Sequence, residues 1–177
     1  MLKSWLLLFA LALSSGIVQA DEAIDNLAPD DTVNQFKELD VPLPAFPEDG
    51  NLIPFLIDDR GTGYTYKMDS KALSVGDDGV TRYTVVVESP TGAKNVFYEG
   101  VRCETEEYKT YAYGTSSGGF QKAYQPTWRR MFKAGPRNYH SDLTRNFLCD
   151  RDGFNYRVDI VQDRLRYFDG YSSDVAF

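Results

Sequence analysis

The chain has 177 residues, a formal net charge of −7, 42% hydrophobic residues, one histidine and two cysteines. Residues 21–50 hold nine acidic residues and one basic residue, whereas residues 51–177 hold 17 of each sign, so the acidity belongs to the N-terminal part. A neutral body argues against nucleic-acid binding, and one histidine with two cysteines provides too few ligands for an imidazole or thiolate metal site, so we expect no metal and no cofactor.

The first 20 residues have the pattern of a secretory signal peptide. Lys3 is the basic residue, Trp5 to Leu13 form an apolar run, and Val18 to Ala20 supply small residues before a cleavage site. The run is too short for a membrane-spanning helix, although an uncleaved anchor is the alternative. We expect export, cleavage after Ala20 and no transmembrane segment afterwards. The residue directly after the cleavage site is not a cysteine, so no lipid anchor is expected.

Residues 21–50 are predicted to be an acidic, proline-containing extended segment, much of it disordered. Their carboxylates are spread along the segment and branched apolar residues are few. Residues 51–177 are predicted to form a single domain, as the length of the chain suggests. Removal of residues 21 to about 40 is therefore expected to cost little stability.

The clearest strand pattern lies at residues 80–88, where Tyr83, Val85 and Val87 alternate with more polar residues. Such alternation indicates an antiparallel strand with one face toward water. Turn residues on both sides indicate hairpins, so residues 94–103 are predicted to form the next strand.

Further strands are predicted on both sides of this hairpin. Residues 107–114 continue the meander until a glycine-rich turn at 114–119 ends it. Residues 53–57 and 64–69 are short strand candidates that come earlier in the chain. Pro54 confines the first of them to a sheet edge or a strand start, because proline lacks the N–H that a central strand needs.

Three short helices are predicted after the strands. The first begins near Pro126 and carries Trp128 on its apolar stripe, and the second begins with Ser141 as its N-cap. Asp159 and Gln162 resemble a capping box that opens the third. The order of elements predicts an α+β fold, an antiparallel meander of hairpins with two to three short C-terminal helices packed on one face. The inward residues are expected to be Met131 and Phe132, then Leu143, Phe147 and Leu148, then Val161, Leu165 and Phe168.

The two cysteines, Cys103 and Cys149, are predicted to form a disulfide, as a cysteine pair in an exported chain most simply does. Closing this loop contributes about 4 kcal/mol in the chain-entropy model. A redox or nucleophilic thiol is the alternative, and the absence of a C-x-x-C motif argues against it.

Candidate catalytic residues are few, and none is assigned. His140 would have to serve any Ser-His-Asp or Cys-His mechanism, but a loop or capping role is the preferred interpretation. Hydrolysis by paired carboxylates needs no histidine and is the alternative function. Asp77–Asp78, or Asp150 with Asp152, offer oxygen ligands for calcium, although turn residues are the simpler interpretation. The carboxylates available for hydrolysis are Asp58–Asp59, Glu99, Glu104 and Glu106–Glu107.

Glu99 raises a specific question, because unbroken strand alternation places it on one face with Phe97, Val101 and Cys103. A carboxylate there would be buried and would need a partner. A β-bulge at Glu99–Gly100 would instead shift the alternation and release the acid. The bulge is favoured over the buried acid, since glycine inside a strand often marks one.

Several segments resemble the CNP1-like proteins, a group of exported proteins of Gram-negative bacteria. The resemblance rests on "NLIPFLI" (51–57), on residues 72–114, and on Trp128-Arg-Arg130, and it covers roughly residues 36–150. It implies a periplasmic or envelope location and no particular reaction, cofactor or catalytic residue. Some relatives resemble lipoproteins, and this chain departs from them because it lacks the acylated cysteine.

The function predicted from the sequence is non-catalytic binding. Aromatic residues next to arginines commonly anchor interfaces, and the partner is expected to be an envelope protein, a peptide or a glycan. For the tyrosines themselves an ordinary structural role in a sheet is the favoured interpretation, and a role in the interaction surface is the alternative. The candidate interaction surface comprises Tyr98, Arg102, Tyr111, Tyr113, Trp128, Arg129 and Arg130.

Overall fold

An antiparallel sheet forms the centre of the fold. The structure, a computed structural model, describes residues 36–57, 63–131 and 139–167, so the predicted signal peptide lies outside the described residues. The strands in these ranges are β1 (Leu52–Phe55), β2 (Thr65–Asp69), β3 (Ser74–Val75), β4 (Val80–Glu88), β5 (Lys94–Arg102), β6 (Glu107–Gly114), β7 (Phe120–Lys122) and β8 (Arg129–Arg130). The main order is β1-β2-β4-β5-β6-β7, while β3 pairs with β4 and β8 with β6.

The predicted meander is confirmed. Strand β4 begins and ends where the alternation predicts, β6 ends at the glycine-rich turn, and all pairings between the strands are antiparallel. Pro54 lies in β1, an edge strand, so its missing N–H interrupts no central ladder.

Two helical segments follow the sheet. The first consists of α1 (Tyr139–Leu143) and a π-helical stretch (Thr144–Leu148), and the second is α2 (Val158–Tyr167). Ser141 lies inside α1 and is therefore not its N-cap. Asp159 lies in the first turn of α2, where it accepts from Arg157 at 2.8 Å, so the predicted capping box is also wrong.

The helix predicted from Pro126 to Phe132 is not formed in its described part. Arg129 and Arg130 instead form β8 and pair with Tyr108 and Glu107. The N–H of Met131 donates to the carbonyl of Glu106 at 2.9 Å, so the backbone of this segment is bonded to β6 rather than to itself. Residue 132 lies outside the described residues.

One face of the sheet, which we call the helix face, carries the main core. Tyr83, Val85 and Val87 project from β4 into it, and Leu143 and Phe147 cover them from the helical segment. The burial predicted for the second and third helices is confirmed, while residue 168 lies outside the described residues. The helical members of this core are Leu143, Phe147, Leu148, Val161 and Leu165.

The opposite face is also covered, so the prediction of a face toward water is wrong. Arg82, on β4, is only 2% exposed and Thr84 is fully buried. Residues 36–46, which we call the strap, contact this face without forming a helix or strand. The carbonyl of Leu39 accepts from Arg82 at 3.2 Å, and Phe46 packs against Phe120. We call this side of the sheet the strap face.

A disulfide joins the sheet to the helical segment, as predicted. Cys103 follows β5 and Cys149 follows the π-helical stretch, and their Cα atoms are 5.6 Å apart. Among the described residues, no helix combines the length and the apolar character needed to cross a membrane.

Candidate binding cleft and a buried acid cluster

A cleft of about 370 Å³ lies between the strap and the strap face of the sheet. The strap forms one wall of the cleft, and part of the sheet surface beneath it is left uncovered. The second wall is the end of β7 and the loop that follows it. The principal polar residues that line it are Glu38, Asp40, Arg82, Tyr98, Lys109, Tyr111 and Lys122.

Glu38 anchors the strap to the sheet through three donors. Its carboxylate accepts from Tyr111 at 2.7 Å, Lys109 at 2.8 Å and the indole of Trp128 at 3.1 Å. Burial alone would raise the pKa of Glu38, but these hydrogen bonds and the charge of Lys109 outweigh it and lower the pKa below its ordinary value. The strap is therefore held by an ionised carboxylate.

A second anchor is aromatic. The guanidinium of Arg102 lies 3.7 Å from the ring centroid of Phe36, and Phe36 packs edge-on against Trp128 at 5.9 Å. Arg102 also pairs with Glu107 at 3.2 Å. The strap thus begins in a stack of one cation and two rings, a favourable arrangement for a partly exposed site.

The floor of the cleft contains a buried ion pair. Arg82 donates to both carboxylate oxygens of Asp78, at 2.6 and 3.1 Å, and Asp78 also accepts from the N–H of Leu39 at 2.8 Å. Burial opposes ionisation of both partners, but their pairing prevails: the pKa of Asp78 is lowered and that of Arg82 is raised. The Nε of Arg82 is buried and has no hydrogen-bond partner within the described residues.

Tyr98 lines the cleft although it is only 5% exposed. Its ring packs against Tyr111 at 5.5 Å and against Phe120 at 6.3 Å. Burial raises its pKa, an effect that nearby Arg82 opposes, so the phenol stays protonated at neutral pH. Its hydroxyl donates to no group among the described residues, which leaves a free donor in the wall of the cleft.

Glu99 lies on the helix face and is only 1% exposed. The favoured bulge at Glu99–Gly100 is wrong, because β5 pairs with β4 without interruption. The register shift lies in β6, where Tyr98 faces Ala112 and Glu99 faces Thr110, so Tyr111 is the extra residue.

Gly100 has a different role from the one predicted. A Cβ at this position would lie 2.7 Å from the hydroxyl oxygen of Tyr111 and 2.9 Å from a methyl group of Val80. Glycine is required so that the side chain of the bulged Tyr111 can cross β5 and reach Glu38.

The buried Glu99 carboxylate has four polar partners, which together form the acid cluster. Tyr139 donates to it at 2.7 Å, Thr110 at 2.9 Å and Tyr83 at 3.1 Å, and the Nε2 of His140 lies 3.0 Å away. The sequence offered each residue type but no local signal for this pairing, since His140 is 41 positions from Glu99.

Electrostatics keep the Glu99 carboxylate ionised. Burial would raise its pKa, but the charge and hydrogen bond of His140 and the hydrogen bonds of Tyr139 and Thr110 lower it below its ordinary value. The pKa values of Tyr83 and Tyr139 are raised well above the ordinary value, by burial first and then by the Glu99 charge. The imidazole is stacked between Tyr108 and Tyr139, with centroids 3.7 and 4.0 Å away.

A model of the CNP1-like family matches residues 31–166. The chain belongs to the CNP1-like family. The match extends beyond the predicted range of 36–150 at both ends and includes the strap and all but the last residue of α2. Comparison with curated proteins and with solved structures gave no match.

In this CNP1-like protein, four of the seven predicted surface residues meet around the strap. Tyr98 and Tyr111 line the cleft, and Arg102 and Trp128 contact Phe36. The other three lie elsewhere: Tyr113 is 46% exposed and pairs with Phe97, and Arg129 and Arg130 are exposed on β8.

The sequence predictions missed the strap-face partners of the tyrosines. Glu38, Arg82 and Lys109 were not singled out, because their partners are far away in the chain: Lys109 is 71 positions from Glu38. The one available signal was Arg82 itself, a charged residue in the middle of a strand rich in valine.

Among the described residues, neither Glu104 nor Glu107 forms a pair with Glu99. The Glu99 carboxylate is bonded to hydroxyl groups and an imidazole, Glu107 is paired with Arg102, and Glu104 is exposed. Asp58–Asp59 lie outside the described residues.

The described part of this CNP1-like chain contains no group of three or more potential metal ligands. Asp78 is paired with Arg82, as described above. Asp150 accepts from the N–H groups of Asp152 and Phe154 and is therefore a turn residue, in agreement with the simpler interpretation.

Proposed function

We propose that this CNP1-like protein is a non-catalytic binding module of the bacterial envelope and that the cleft under the strap is its binding site. The observation that carries the proposal is Tyr98, which lines the cleft and whose hydroxyl has no hydrogen-bond partner among the described residues. Ligand pockets combine apolar walls with a few polar groups that are available to the ligand, and this hydroxyl is such a group.

The volume of the cleft supports the same proposal. About 370 Å³ lies within the range of small-molecule pockets. The walls combine apolar residues of the strap with a few polar groups, which is the usual composition of such pockets. The export predicted from residues 1–20 and the disulfide both agree with an envelope location.

Histidine-independent hydrolysis receives less support. It requires two carboxylates on opposite sides of a substrate, roughly 5 to 9.5 Å apart. Glu99 lies in the core with four polar partners and lines neither the cleft nor an opening to it. Binding is therefore the function that the geometry supports best.

The proposal is tested by blocking the cleft. Ala123 lines it and is half-buried, so Ala123→Trp should fill part of the volume while its N–H still donates to Tyr111. Low-molecular-mass extract of the cell envelope is expected to raise the melting temperature of the parent protein and not that of the variant.

The matched control is Gln121→Trp, which adds the same ring at an exposed position of β7 outside the cleft. It should respond to the extract as the parent does. An equal rise in melting temperature for Ala123→Trp, or no rise for the parent, would overturn the proposal.

A further inference from the structure

We propose that the cleft binds a zwitterionic ligand of the amino-acid and short-peptide class, with its carboxylate between Tyr98 and Lys122 and its ammonium group toward Asp40. This inference rests on the proposed function and adds the chemistry of the ligand.

Four of the polar side chains that line the cleft already have partners. Arg82 is paired with Asp78, and the Glu38 carboxylate accepts hydrogen bonds from both Lys109 and Tyr111. These pairs neutralise one another and hold the strap in place. They therefore add no net charge that would select a ligand.

Three other polar side chains of the cleft are available to a ligand. Within the described residues, three side chains that line the cleft have no hydrogen-bond or ion-pair partner: the hydroxyl of Tyr98, the ammonium of Lys122 and the carboxylate of Asp40. They comprise one neutral donor, one cation and one anion. A ligand that satisfies all three has both a carboxylate and an ammonium group and no net charge.

The sheet register places two of these groups side by side. Tyr98 pairs with Ala112, and Ala112 pairs with Lys122, so the three residues form one row across β5, β6 and β7. Residues in one row project from the same face, here the strap face. Ala112 between them has a small side chain, and both Tyr98 and Lys122 line the cleft.

A carboxylate matches this pair of donors better than a neutral group does. It offers two oxygens, one for the Tyr98 hydroxyl and one for the Lys122 ammonium, and charge-assisted hydrogen bonds are the stronger ones.

The opposite wall has the complementary charge. Asp40 is exposed and belongs to the strap, whereas Lys122 belongs to β7, so the two residues approach the cleft from different elements. A ligand with its acid at one end and its amine at the other would connect the strap to the sheet.

The experiment uses isothermal titration calorimetry with the full mature protein and four probes: L-alanine, tri-alanine, tri-alanine amide and N-acetyl-tri-alanine. Tri-alanine or alanine should bind, and capping either end should weaken binding roughly tenfold or more, since a hydrogen bond to a charged group is worth about 1.5 to 3 kcal/mol. Comparison of the first two probes distinguishes a free amino acid from a peptide.

Three variants assign the contacts. Lys122→Gln and Tyr98→Phe should weaken binding of the parent zwitterion while leaving the affinity for tri-alanine amide unchanged. Asp40→Asn should weaken binding of the zwitterion and leave the affinity for N-acetyl-tri-alanine, which has no ammonium group, unchanged. Lys71→Gln and Asp77→Asn, exposed and outside the cleft, are the matched controls and should bind as the parent does.

The inference is overturned if capped and uncapped probes bind equally, if none binds at concentrations up to about 10 mM, or if the cleft variants bind like their controls. The proposed function is tested independently of this inference. If envelope extract still stabilises the parent and not Ala123→Trp while no zwitterion binds, then the cleft is a binding site for another class of ligand.

Discussion

At the scale of the residue, Glu99 shows how a polar group can be fixed in a core. Burying a carboxylate is costly unless hydrogen bonds and an opposite charge compensate. Three hydroxyl groups and the imidazole of His140 provide both, and the tyrosines contribute apolar surface to the same core.

We expect Glu99→Gln to lower the free energy of unfolding by about 1 to 3 kcal/mol at pH 7, because it leaves buried donors without an acceptor. The amide nitrogen would meet hydroxyl groups that already donate toward this position. Chemical denaturation of the parent and the variant measures the difference. Glu104→Gln, an exposed change close by in sequence, is the control and should have little effect.

The ionised Glu99 carboxylate also makes the stability of the fold depend on pH. The pKa of Glu99 is lower in the folded state than in the unfolded state, so its contribution to stability is complete above its ordinary pKa of about 4.3 and is lost as the pH falls further. The stability gap between the parent and Glu99→Gln should therefore narrow below about pH 4.3. A gap that is constant down to pH 2 would contradict a carboxylate that is ionised in the fold.

At the scale of the element, the strap is attached through few points. Phe36, Leu39 and Val41 remain substantially exposed, so little of its stability comes from apolar burial. Glu38 supplies the main polar contacts, and their loss should free the segment.

We expect Glu38→Ala to cost about 1 kcal/mol, because the carboxylate is partly exposed, and to accelerate trypsin cleavage after Lys37. Mass spectrometry of a proteolysis time course measures the cleavage rate. Glu48→Ala, exposed and without a side-chain partner within the described residues, should be cut at the parental rate. An unchanged rate for Glu38→Ala would mean that Phe36 and Leu39 hold the strap without it.

Sequence patterns predicted the elements whose signals are local. Residues 80–88 carry both their alternation and their turns, and Val161 with Leu165 marks the inner side of α2. The helix at Trp128 was wrong because pairing of Arg129 and Arg130 with β6 overrides helical spacing. The cleft depends on contacts between the strap and β6 that are about 70 positions apart, and such contacts have no signature in either segment alone.

At the scale of the whole molecule, the disulfide connects the two halves of the fold. Cys103 ends the central hairpin, and Cys149 lies between the π-helical stretch that follows α1 and helix α2. The bond therefore restrains α1, which carries Tyr139 and His140, against the strand that carries Glu99. Disulfides form and persist in oxidising compartments, so the predicted export and the disulfide can be tested together.

Intact mass spectrometry of the protein from the envelope fraction tests both together. We expect a chain that begins at Asp21 and whose mass is lower by two hydrogens than that of the reduced chain, since cleavage follows Ala20 and Cys103 is bonded to Cys149. Reduction should restore the two hydrogens and lower the free energy of unfolding by about 4 kcal/mol in the chain-entropy model. The Cys103→Ser and Cys149→Ser double variant is the control, with the same N-terminus and no mass change on reduction. A full-length mass, or two thiols that react with a labelling reagent in the denatured, unreduced protein, would contradict export or the bond respectively.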